Sequence, residues 1–403
     1  MNSKLTDLRW ARRITQDLSP PFGGGELAPL SMLYGNPDPS LFPAAGMAEA
    51  TARVLAEQST ASVALQYGAI QGQPGLISML ADKLNHDEGL DVSPANILIT
   101  NGASAAIGLA ARALVDEGDI VLVEGPSFPG AMSVLRRTGA ELHMLPMGPD
   151  GLDIAATEAV LDSLHVRGVR PPLLYTMPTF HNPAGLTLPE AQRGALLALA
   201  RRFNLLILED DAYRDLYYDA ATGPLPASLY ALDREGRVIR TGTFSKILTP
   251  GMRLGWALAR PEIIERMMML KEEGGTSPFT QHVAVEYGKD GVLMSHICAL
   301  VDAYRAKRDA MLFALERYFP PEATWTRPAG GFFVWATLPP SVDPVKLAAR
   351  AREEGVDYMD GASCFAGPPP TPGTYMRLSF SLLKPDDIEE AIKRLARAAR
   401  SLM

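Results

Sequence analysis

Short apolar runs alternate with amphipathic stretches over much of the chain. Seven such runs lie between Ala95 and Ala259, at 97–100, 119–125, 141–147, 172–178, 205–211, 238–244 and 255–259. Continuous apolar runs of this length are typical of strands buried on both faces. Amphipathic helices are predicted between them, for example over 103–116 and after the capping box at 187–190. The alternation predicts an α/β fold with a mostly parallel seven-stranded sheet flanked by helices.

The pattern changes after about residue 278. A long helical pattern from Thr280 to Tyr318 is followed by the run Gly-Gly-Phe-Phe-Val-Trp at 330–335, a helix near 344–354, a strand at Tyr375–Phe380 and a helix from Pro385. The proline- and glycine-rich pieces at 19–25 and 367–373 favour loops. We therefore predict a large domain over 46–285 and a smaller α+β domain built from 1–45 and 286–403.

Composition and charge mainly exclude functions. The 403 residues carry a formal net charge of −8 without a basic run, so binding to nucleic acid or to anionic lipid is not expected. No stretch reaches about 18 apolar residues, and the N-terminus lacks the apolar region of a signal peptide, which predicts a cytoplasmic protein without a membrane span. Cys298 and Cys364 show no metal-ligand spacing and are expected to be buried core thiols.

Polar side chains that could bind a ligand or take part in catalysis lie at the ends of several predicted strands. In an open α/β sheet, ligands bind beyond the carboxyl ends of the strands. The segment 100–104 leads from a strand into a helix, whose first amides favour an anion. The predicted strand at 205–211 ends in three consecutive carboxylates, 209–211, which a Mg²⁺ site or a solvated loop would also explain. The Asn-Pro pair at 182–183 is, taken alone, ordinary turn chemistry.

A lysine directly after a buried strand is the strongest chemical signal. Lys246 follows the run at 238–244, and Arg253 lies seven positions further on. Burial at such a place lowers the pKa of a lysine and makes the neutral amine accessible. A P-loop is excluded, because no G-x-x-x-x-G-K-[ST] occurs in the chain. An anion site, a carboxylate that needs a cation and a lysine nucleophile together favour pyridoxal 5′-phosphate, whereas Mg²⁺ explains only the carboxylates.

At this point the chain resembles the fold type I pyridoxal-phosphate enzymes, and within them the class I/II aminotransferases of the 2-aminoadipate, kynurenine and aromatic branch. The resemblance covers nearly the whole chain and rests on motifs in the family's order. These are L-Y-G-N-P-D-P, L-Q-Y-G-A-I-Q-G, T-N-G-A-S-A, V-E-G-P-S-F-P-G, N-P-A-G, D-D-A-Y, T-F-S-K-I-L-T-P-G-M-R-L-G and Y-M-R-L-S-F. The resemblance implies ping-pong transfer of an amino group from an L-amino acid to a 2-oxo acid, with 2-oxoglutarate as the expected acceptor.

The resemblance also implies a role for each residue that holds the cofactor. Lys246 becomes its covalent attachment point and the proton carrier, Asp210 pairs with the ring nitrogen, and Tyr213 donates to the ring's phenolic oxygen. Asn182 is the second donor to that oxygen, and Phe128 stacks on the ring. Contacts to the phosphate are implied for Ala103, Ser104, Thr243, Ser245 and Arg253. Ala103 and Ser104 replace a serine and a glutamine of the family, so backbone amides remain the contacts there.

Substrate and partner contacts are implied in the same way. Arg377 binds the substrate α-carboxylate with the help of Asn182, and the backbone of Gly35 approaches the same group. Tyr67 corresponds to a tyrosine that reaches the phosphate across a dimer interface, which implies a homodimer with shared active sites. One departure from the family lies at 360–361, where Asp-Gly replaces the common Pro-Gly.

Two alternatives and one gap remain at the level of sequence. A β-lyase or another enzyme acting through a Cα carbanion would use the same cofactor residues. A regulator with an aminotransferase-like module is disfavoured, because Gly35 already belongs to the motif set. The donor side chain stays open between acidic, aromatic and branched types, since Arg9, Arg12 and Arg13 could bind a second carboxylate or simply form a solvated face.

Overall fold

The apolar runs form strands whose side chains are buried on both faces. In the computed structural model, which describes residues 27–272 and 274–403, they belong to two sheets. In chain order the described strands are β1 (Leu30–Met32), β2 (Ile97–Thr100), β3 (Ile120–Gly125), β4 (Glu141–Gly148), β5 (Gly151–Leu152), β6 (Leu173–Thr176), β7 (Leu206–Asp210), β8 (Val238–Thr243), β9 (Gly255–Leu258), β10 (Thr324–Trp325), β11 (Phe333–Leu338), β12 (Val356–Asp360) and β13 (Thr374–Ser379).

The larger sheet has the order β2-β9-β8-β7-β6-β3-β4-β5. Strands β4, β3, β6, β7 and β8 are parallel, while β9 runs antiparallel to both β8 and β2. Residues 244–254 connect β8 to β9, and this connection is too short for a crossover helix. The prediction of a mostly parallel α/β sheet is confirmed; the two-residue β5 adds an eighth strand that the pattern did not predict.

The smaller sheet has the order β1-β12-β13-β11-β10 and is antiparallel except for the β1–β12 pair. Thus a strand from the start of the described chain pairs with β12, from its last third. The domain limits, 46–285 for the large domain and 1–45 with 286–403 for the small one, stay a prediction.

Helices cover both sheets. In the described ranges they are α1 (Ala44–Ala56), α2 (Gln58–Ala64), α3 (Pro74–Glu88), α4 (Ala103–Leu114), α5 (Pro129–Arg136), α6 (Ile154–Val166), α7 (Glu190–Arg202), α8 (Leu229–Leu232), α9 (Pro261–Met269), α10 (Pro278–Gly288), α11 (Val292–Tyr318), α12 (Pro344–Glu353) and α13 (Pro385–Arg400). None of these helices has the length and apolar character needed to cross a membrane.

Two predictions on the second half of the chain were wrong. The single helix over 280–318 is interrupted by a 3₁₀ turn at Lys289–Gly291, where Asp290 has φ 55° and Gly291 has φ 75°. Left-handed backbone cannot continue a right-handed helix, so the chain restarts as α11. Cys364 is buried as expected, but Cys298 is exposed, because it lies on the outer face of α11. The pieces at 19–25 and Arg9, Arg12 and Arg13 lie outside the described residues; 367–373 is a loop.

Candidate active site

A cavity of about 490 Å³ opens at the carboxyl ends of β6, β7 and β8. All the predicted site residues except Tyr67 line it: Gly35, Ala103, Ser104, Phe128, Asn182, Asp210, Tyr213, Thr243, Ser245, Lys246, Arg253 and Arg377. Parallel strands bring their carboxyl ends to one edge of a sheet, which is why motifs distant in the chain meet here. Tyr67 lies elsewhere, with 89% of its surface exposed.

Lys246 lies in the turn after β8 and points its amine into the cavity. Its Nζ donates a hydrogen bond to the carbonyl oxygen of Gly35 at 3.0 Å. Burial lowers the pKa of Lys246 to about 8, and the positive charges of Arg377 and Arg253 act in the same direction against the opposing charge of Asp210. Roughly a tenth of this amine is therefore neutral at pH 7, far more than for an ordinary lysine, and the neutral amine is the nucleophilic form.

Asp210 ends β7 with one carboxylate oxygen partnered and the other open. Oδ2 accepts a hydrogen bond from the Tyr175 hydroxyl at 2.8 Å. Oδ1 is buried and has no hydrogen-bond partner among the described residues. Burial raises the pKa of Asp210 to about 6, with Asp211 adding to the rise while Tyr175, Lys246 and His181 oppose it. A buried acceptor without a donor is costly, so this oxygen is suited to a donor brought by a ligand.

The two carboxylates that flank Asp210 have partners inside the protein. Glu209 accepts from the backbone N–H groups of Leu229 and Tyr230 at 2.9 and 3.0 Å. Asp211 pairs with Arg240, whose Nη2 lies 2.8 Å from Asp211 Oδ2. Within the described ranges no group of His, Cys, Asp and Glu has an arrangement that could hold a metal ion. Of the three, Asp210 is the carboxylate that lines the cavity.

Arg377 on β13 lies across the cavity, 3% exposed, with its guanidinium over the ring of Phe333 at 4.3 Å. Nη1 donates to Asn182 Oδ1 at 3.0 Å and Nη2 donates to the carbonyl oxygen of Leu33 at 2.8 Å. Nε has no hydrogen-bond partner in the described part of the chain. Asn182 and Leu33 thus fix the plane of the guanidinium fork, a geometry suited to a carboxylate.

Tyr213 lies on the cavity wall, packed edge-on against the rings of Phe332 and Phe333. Burial raises the pKa of its phenol, and Asp210 adds to the rise against the opposing charge of Arg377. The hydroxyl therefore stays protonated and is available as a donor.

The N-terminus of α4 forms the anion-binding end of the cavity. Gly102 caps this helix with φ 85°, and Ala103 and Ser104 are its first residues. Arg253 reaches the same turn, and a Cβ on Gly102 would lie only 2.7 Å from Arg253 Nη2. Free helix amides together with a guanidinium are a strong site for a phosphate group. The hydroxyls of Thr243 and Ser245 lie 2.9 Å from each other at the same end of the cavity.

Residues 33–38 follow β1 of the smaller sheet and run across the cavity. Their backbone carbonyl groups accept hydrogen bonds from side chains in and around it. Leu33 and Gly35 accept from Arg377 and Lys246, and the carbonyl oxygen of Asn36 accepts from the Ser381 hydroxyl at 2.7 Å. Asp38 then pairs with buried Lys307 at 2.5 Å. At Gly35 a Cβ would lie 2.4 Å from the Phe333 ring, so this position requires glycine.

Sequence reasoning missed several residues that support the site. Tyr175 and His181 belong to an apolar run and a turn and carried no motif of their own, and Glu124, although part of V-E-G-P-S-F-P-G, was given no role. Three apolar wall residues were missed for the same reason: Met177, Phe333 and Met359. A polar residue at the end of a buried run is the signal that could have found Tyr175 and Glu124.

Residues 35–395 match the family profile described as "Aminotransferase class I and II". The match spans the cavity residues from Gly35 to Arg377. The chain is a class I/II aminotransferase. The expected family, fold type and enzyme class are therefore confirmed.

Named relatives of this aminotransferase come from several microorganisms. It is 37% identical to aromatic-amino-acid aminotransferase 1 of Thermococcus litoralis, over 93% of this chain and 88% of that protein. It is 38% identical to the 2-aminoadipate transaminase of Thermus thermophilus, over 93% of this chain and 91% of that protein. Among solved structures, kynurenine aminotransferase of Pyrococcus horikoshii, in complex with PMP, KYN and KYA, superimposes with a TM-score of 0.87 at 37% identity, covering 92% of this chain and 91% of that one.

Proposed function

We propose that this aminotransferase moves an amino group from an L-amino acid with a large apolar or aromatic side chain to 2-oxoglutarate, in a ping-pong reaction. Pyridoxal 5′-phosphate is its cofactor. One observation carries the proposal: the lowered-pKa amine of Lys246, the open oxygen of Asp210 and the guanidinium of Arg377 face one cavity.

The residues present fit this cofactor. The unpartnered Oδ1 of Asp210 suits a protonated ring nitrogen, and Tyr213 and Asn182 suit the phenolic oxygen. The amides at the start of α4 and Arg253 suit the phosphate. Phe128 provides an aromatic face for the ring on the cavity wall. When bound, the cofactor supplies an electron-withdrawing ring that stabilises negative charge at the substrate Cα.

Lys246 has two proposed tasks in this chain. Its neutral Nζ is the point of covalent attachment, because a pKa near 8 leaves part of the amine unprotonated. The same Nζ would also be the nearest base to the substrate Cα and would carry the proton that leaves and later returns to the substrate or cofactor. Asp210 remains an anion beside the ring nitrogen and keeps a proton at that atom.

Arg377 and Asn182 are proposed to orient the substrate. The guanidinium fork would bind the α-carboxylate and so hold the substrate Cα in one orientation within reach of Lys246. Burial of Arg377 against Phe333 excludes water and strengthens the charge pair. Gly35 allows the backbone of residues 33–38 to approach the same carboxylate.

The donor class follows from the remaining wall of the cavity. The cations among the described lining residues, Lys246, Arg253 and Arg377, each have a proposed task already. The other lining side chains are mostly apolar. They include Ile107, Met177, Phe333 and Met359, with Tyr34 beside them. An apolar wall favours large uncharged side chains on the amino donor. The name of the Thermococcus litoralis relative supports the same preference, whereas the name of the Thermus thermophilus relative gives an acidic donor, so the proposal rests on the lining.

A homodimer with shared active sites forms part of the proposal. Tyr67 is 89% exposed, and apolar side chains before and after it in the chain are exposed as well: Leu55, Val63, Leu65 and Ile70. Apolar surface of this kind favours contact with a second copy, which would bring Tyr67 to the neighbouring phosphate. A cytoplasmic location is likewise proposed.

A screen of amino donors with 2-oxoglutarate as acceptor tests the function. We expect phenylalanine, tyrosine and leucine to exceed glutamate analogues with a longer acidic chain, such as 2-aminoadipate. The same screen on Arg12→Gln and Arg13→Gln variants should give an unchanged order. Incubation with a donor alone separates transfer from β-elimination: stoichiometric formation of the amine form of the cofactor supports transfer. Pyruvate and ammonia that accumulate without an acceptor would refute it.

A further inference from the structure

Behind the cavity wall lies a buried acid–histidine pair, Glu124 and His181. The two side chains are almost fully buried, and neither lines the cavity. Glu124 lies near the end of β3, while His181 begins the turn after β6 that carries Asn182. The pair therefore connects the frame of the sheet to a residue of the site.

Both oxygens of Glu124 are satisfied by donors. Oε1 accepts from the Thr176 hydroxyl at 2.8 Å, and Oε2 accepts from the Met177 backbone N–H at 2.8 Å. Oε2 also lies 3.1 Å from His181 Nε2. A buried carboxylate with this many donors is held in one orientation, because loss of any donor is costly at low dielectric.

The hydrogen bonds of His181 require one tautomer. Nδ1 accepts from the Ala184 backbone N–H at 3.1 Å, so the ring proton lies on Nε2 and is donated to Glu124. The backbone of the same residue closes the turn, since its carbonyl accepts from Gly185 N at 2.6 Å and its N–H donates to Leu186 O at 2.8 Å. The ring thus ties the turn at 181–185 to the rigid ends of β3 and β6.

Asn182 is the next residue in this turn, and its Oδ1 receives Nη1 of Arg377 at 3.0 Å. We propose that Glu124 and His181 are positioning residues for substrate binding: they fix the turn, the turn fixes Asn182, and Asn182 sets the plane of the Arg377 fork. This inference rests on the proposed carboxylate-binding role of Arg377 and Asn182. Neither residue of the pair touches the reacting atoms.

The test compares two replacements of one ring. His181→Gln keeps an acceptor for Ala184 and a donor for Glu124, while His181→Leu keeps the volume and loses both. The probe is 2-aminoisobutyrate, which carries the α-carboxylate and amine but no Cα–H and no distal group. Its dissociation constant from the cofactor-loaded enzyme is measured by absorbance titration, alongside KM and kcat for the best donor of the screen.

We expect His181→Leu to weaken probe binding roughly tenfold and to raise KM similarly, with kcat changed less, as loss of buried hydrogen bonds predicts. His181→Gln should remain within about threefold of the parent. Should His181→Leu fail to fold, Glu124→Gln serves instead, with an expected weakening of about threefold to fivefold. Probe binding within about twofold of the parent in the folded variant would overturn the inference, as would equal losses in the Leu and Gln variants.

An Arg377→Lys variant distinguishes the proposed carboxylate-binding role of Arg377 from the proposed positioning role of Glu124 and His181. If it binds the probe as tightly as the parent, the proposed carboxylate clamp is wrong. If it binds the probe weakly while His181→Leu does not, the clamp stands and only the positioning role is wrong.

Discussion

Asp210 and Asp211 are neighbours in the chain, yet their carboxylates lie in opposite environments. On the cofactor side, defined by Asp210, Lys246 and Arg377, each group keeps an atom or a charge that the protein leaves for a ligand. On the ion-pair side, defined by Asp211, Arg240 and Glu88, the charges pair with one another: Arg240 lies 2.8 Å from Asp211 and 2.7 Å from Glu88. Asp211 Oδ1 and Glu88 Oε2 also lack a hydrogen-bond partner among the described residues, so the two sides differ in charge pairing and not in hydrogen bonding.

The pKa values follow this division. On the cofactor side, burial raises the pKa of Asp210 and lowers that of Lys246. Both shifts favour the neutral form over the charged form. On the ion-pair side, burial acts against the charge of Arg240, but Asp211 and Glu88 outweigh it and raise its pKa. The end of β7 therefore places a reactive group, Asp210, and a structural group, Asp211, at consecutive positions, since successive side chains of extended backbone point to opposite faces.

Removal of the amine on the cofactor side should have the largest effect. We expect Lys246→Ala to lower kcat by at least about 10⁴, because both the attachment point and the proton carrier are lost. The visible absorbance of the covalently attached cofactor should disappear as well. Lys346→Ala, at an exposed lysine of α12, is the matched control and should retain both. Substantial turnover in the Lys246 variant would contradict the assignment.

Isosteric changes at the two neighbouring aspartates should separate activity from stability. Asp210→Asn should lower kcat by about 10²–10³, since the ring nitrogen loses its anion. In the cofactor-free protein the raised pKa of Asp210, about 6, means that folding binds an extra proton between pH 4 and 6, so stability falls as pH rises through this window. Asn removes that cost and should stabilise the cofactor-free protein by about 1–3 kcal/mol at pH 7.

Asp211→Asn should do the reverse. It leaves Arg240 with less negative charge and should destabilise the fold by roughly 3 kcal/mol, with kcat within about tenfold of the parent. Thermal unfolding of both cofactor-free variants checks the contrast. Shifts of the same sign would break the distinction between the two sides.

The lowered pKa of Lys246 predicts the pH dependence of cofactor capture. For the protein stripped of cofactor, the rate of covalent attachment should rise about tenfold per pH unit below pH 8 and level off above it, because the neutral amine is the reactive form. Arg377→Met removes a positive charge that lowers this pKa, so the midpoint should move upward. Stopped-flow absorbance measures both. A midpoint near the ordinary lysine value would refute the electrostatic account.

The smallest expected effect concerns the anion end of the cavity. Gly102→Ala should weaken cofactor binding by roughly threefold to tenfold, because the new Cβ displaces Arg253 from the helix terminus. Gly118 also has positive φ, but a Cβ there meets nothing within 4 Å. Gly118→Ala therefore controls for backbone strain and should leave the dissociation constant of the cofactor unchanged. Equal losses in both variants would exclude a specific contact.

The sequence was most informative where a reactive polar residue lies at the end of an apolar run. Buried strands are continuous apolar runs. Asp210 ends such a run, and Asn182 and Lys246 follow others within a few residues, so their convergence at one edge of the sheet could be predicted. Side-chain contacts that support the site from distant parts of the chain could not be predicted. The bond between Tyr175 and Asp210 and the pair Glu124–His181 depend on side-chain directions between strands distant in sequence.

Two further errors have local causes. The break between α10 and α11 depends on a left-handed Asp290, although the flanking Gly288 and Gly291 were visible as a warning. The exposure of Cys298 depends on which face of α11 packs inward, and its apolar neighbours in sequence did not determine that face. Tyr67 stays a prediction, because its proposed contact requires a second copy.

Residues 33–38 contact Arg377, Lys246 and Ser381 through main-chain oxygens, whereas at Gly35 the absence of a side chain is itself required. A main-chain oxygen is the same in nearly every amino acid. Saturation mutagenesis should therefore find Leu33 and Asn36 permissive to most substitutions, with Gly35 between them nearly invariant. Positions 33 and 36 could then vary in sequence among relatives although their backbone lies close to the reacting atoms.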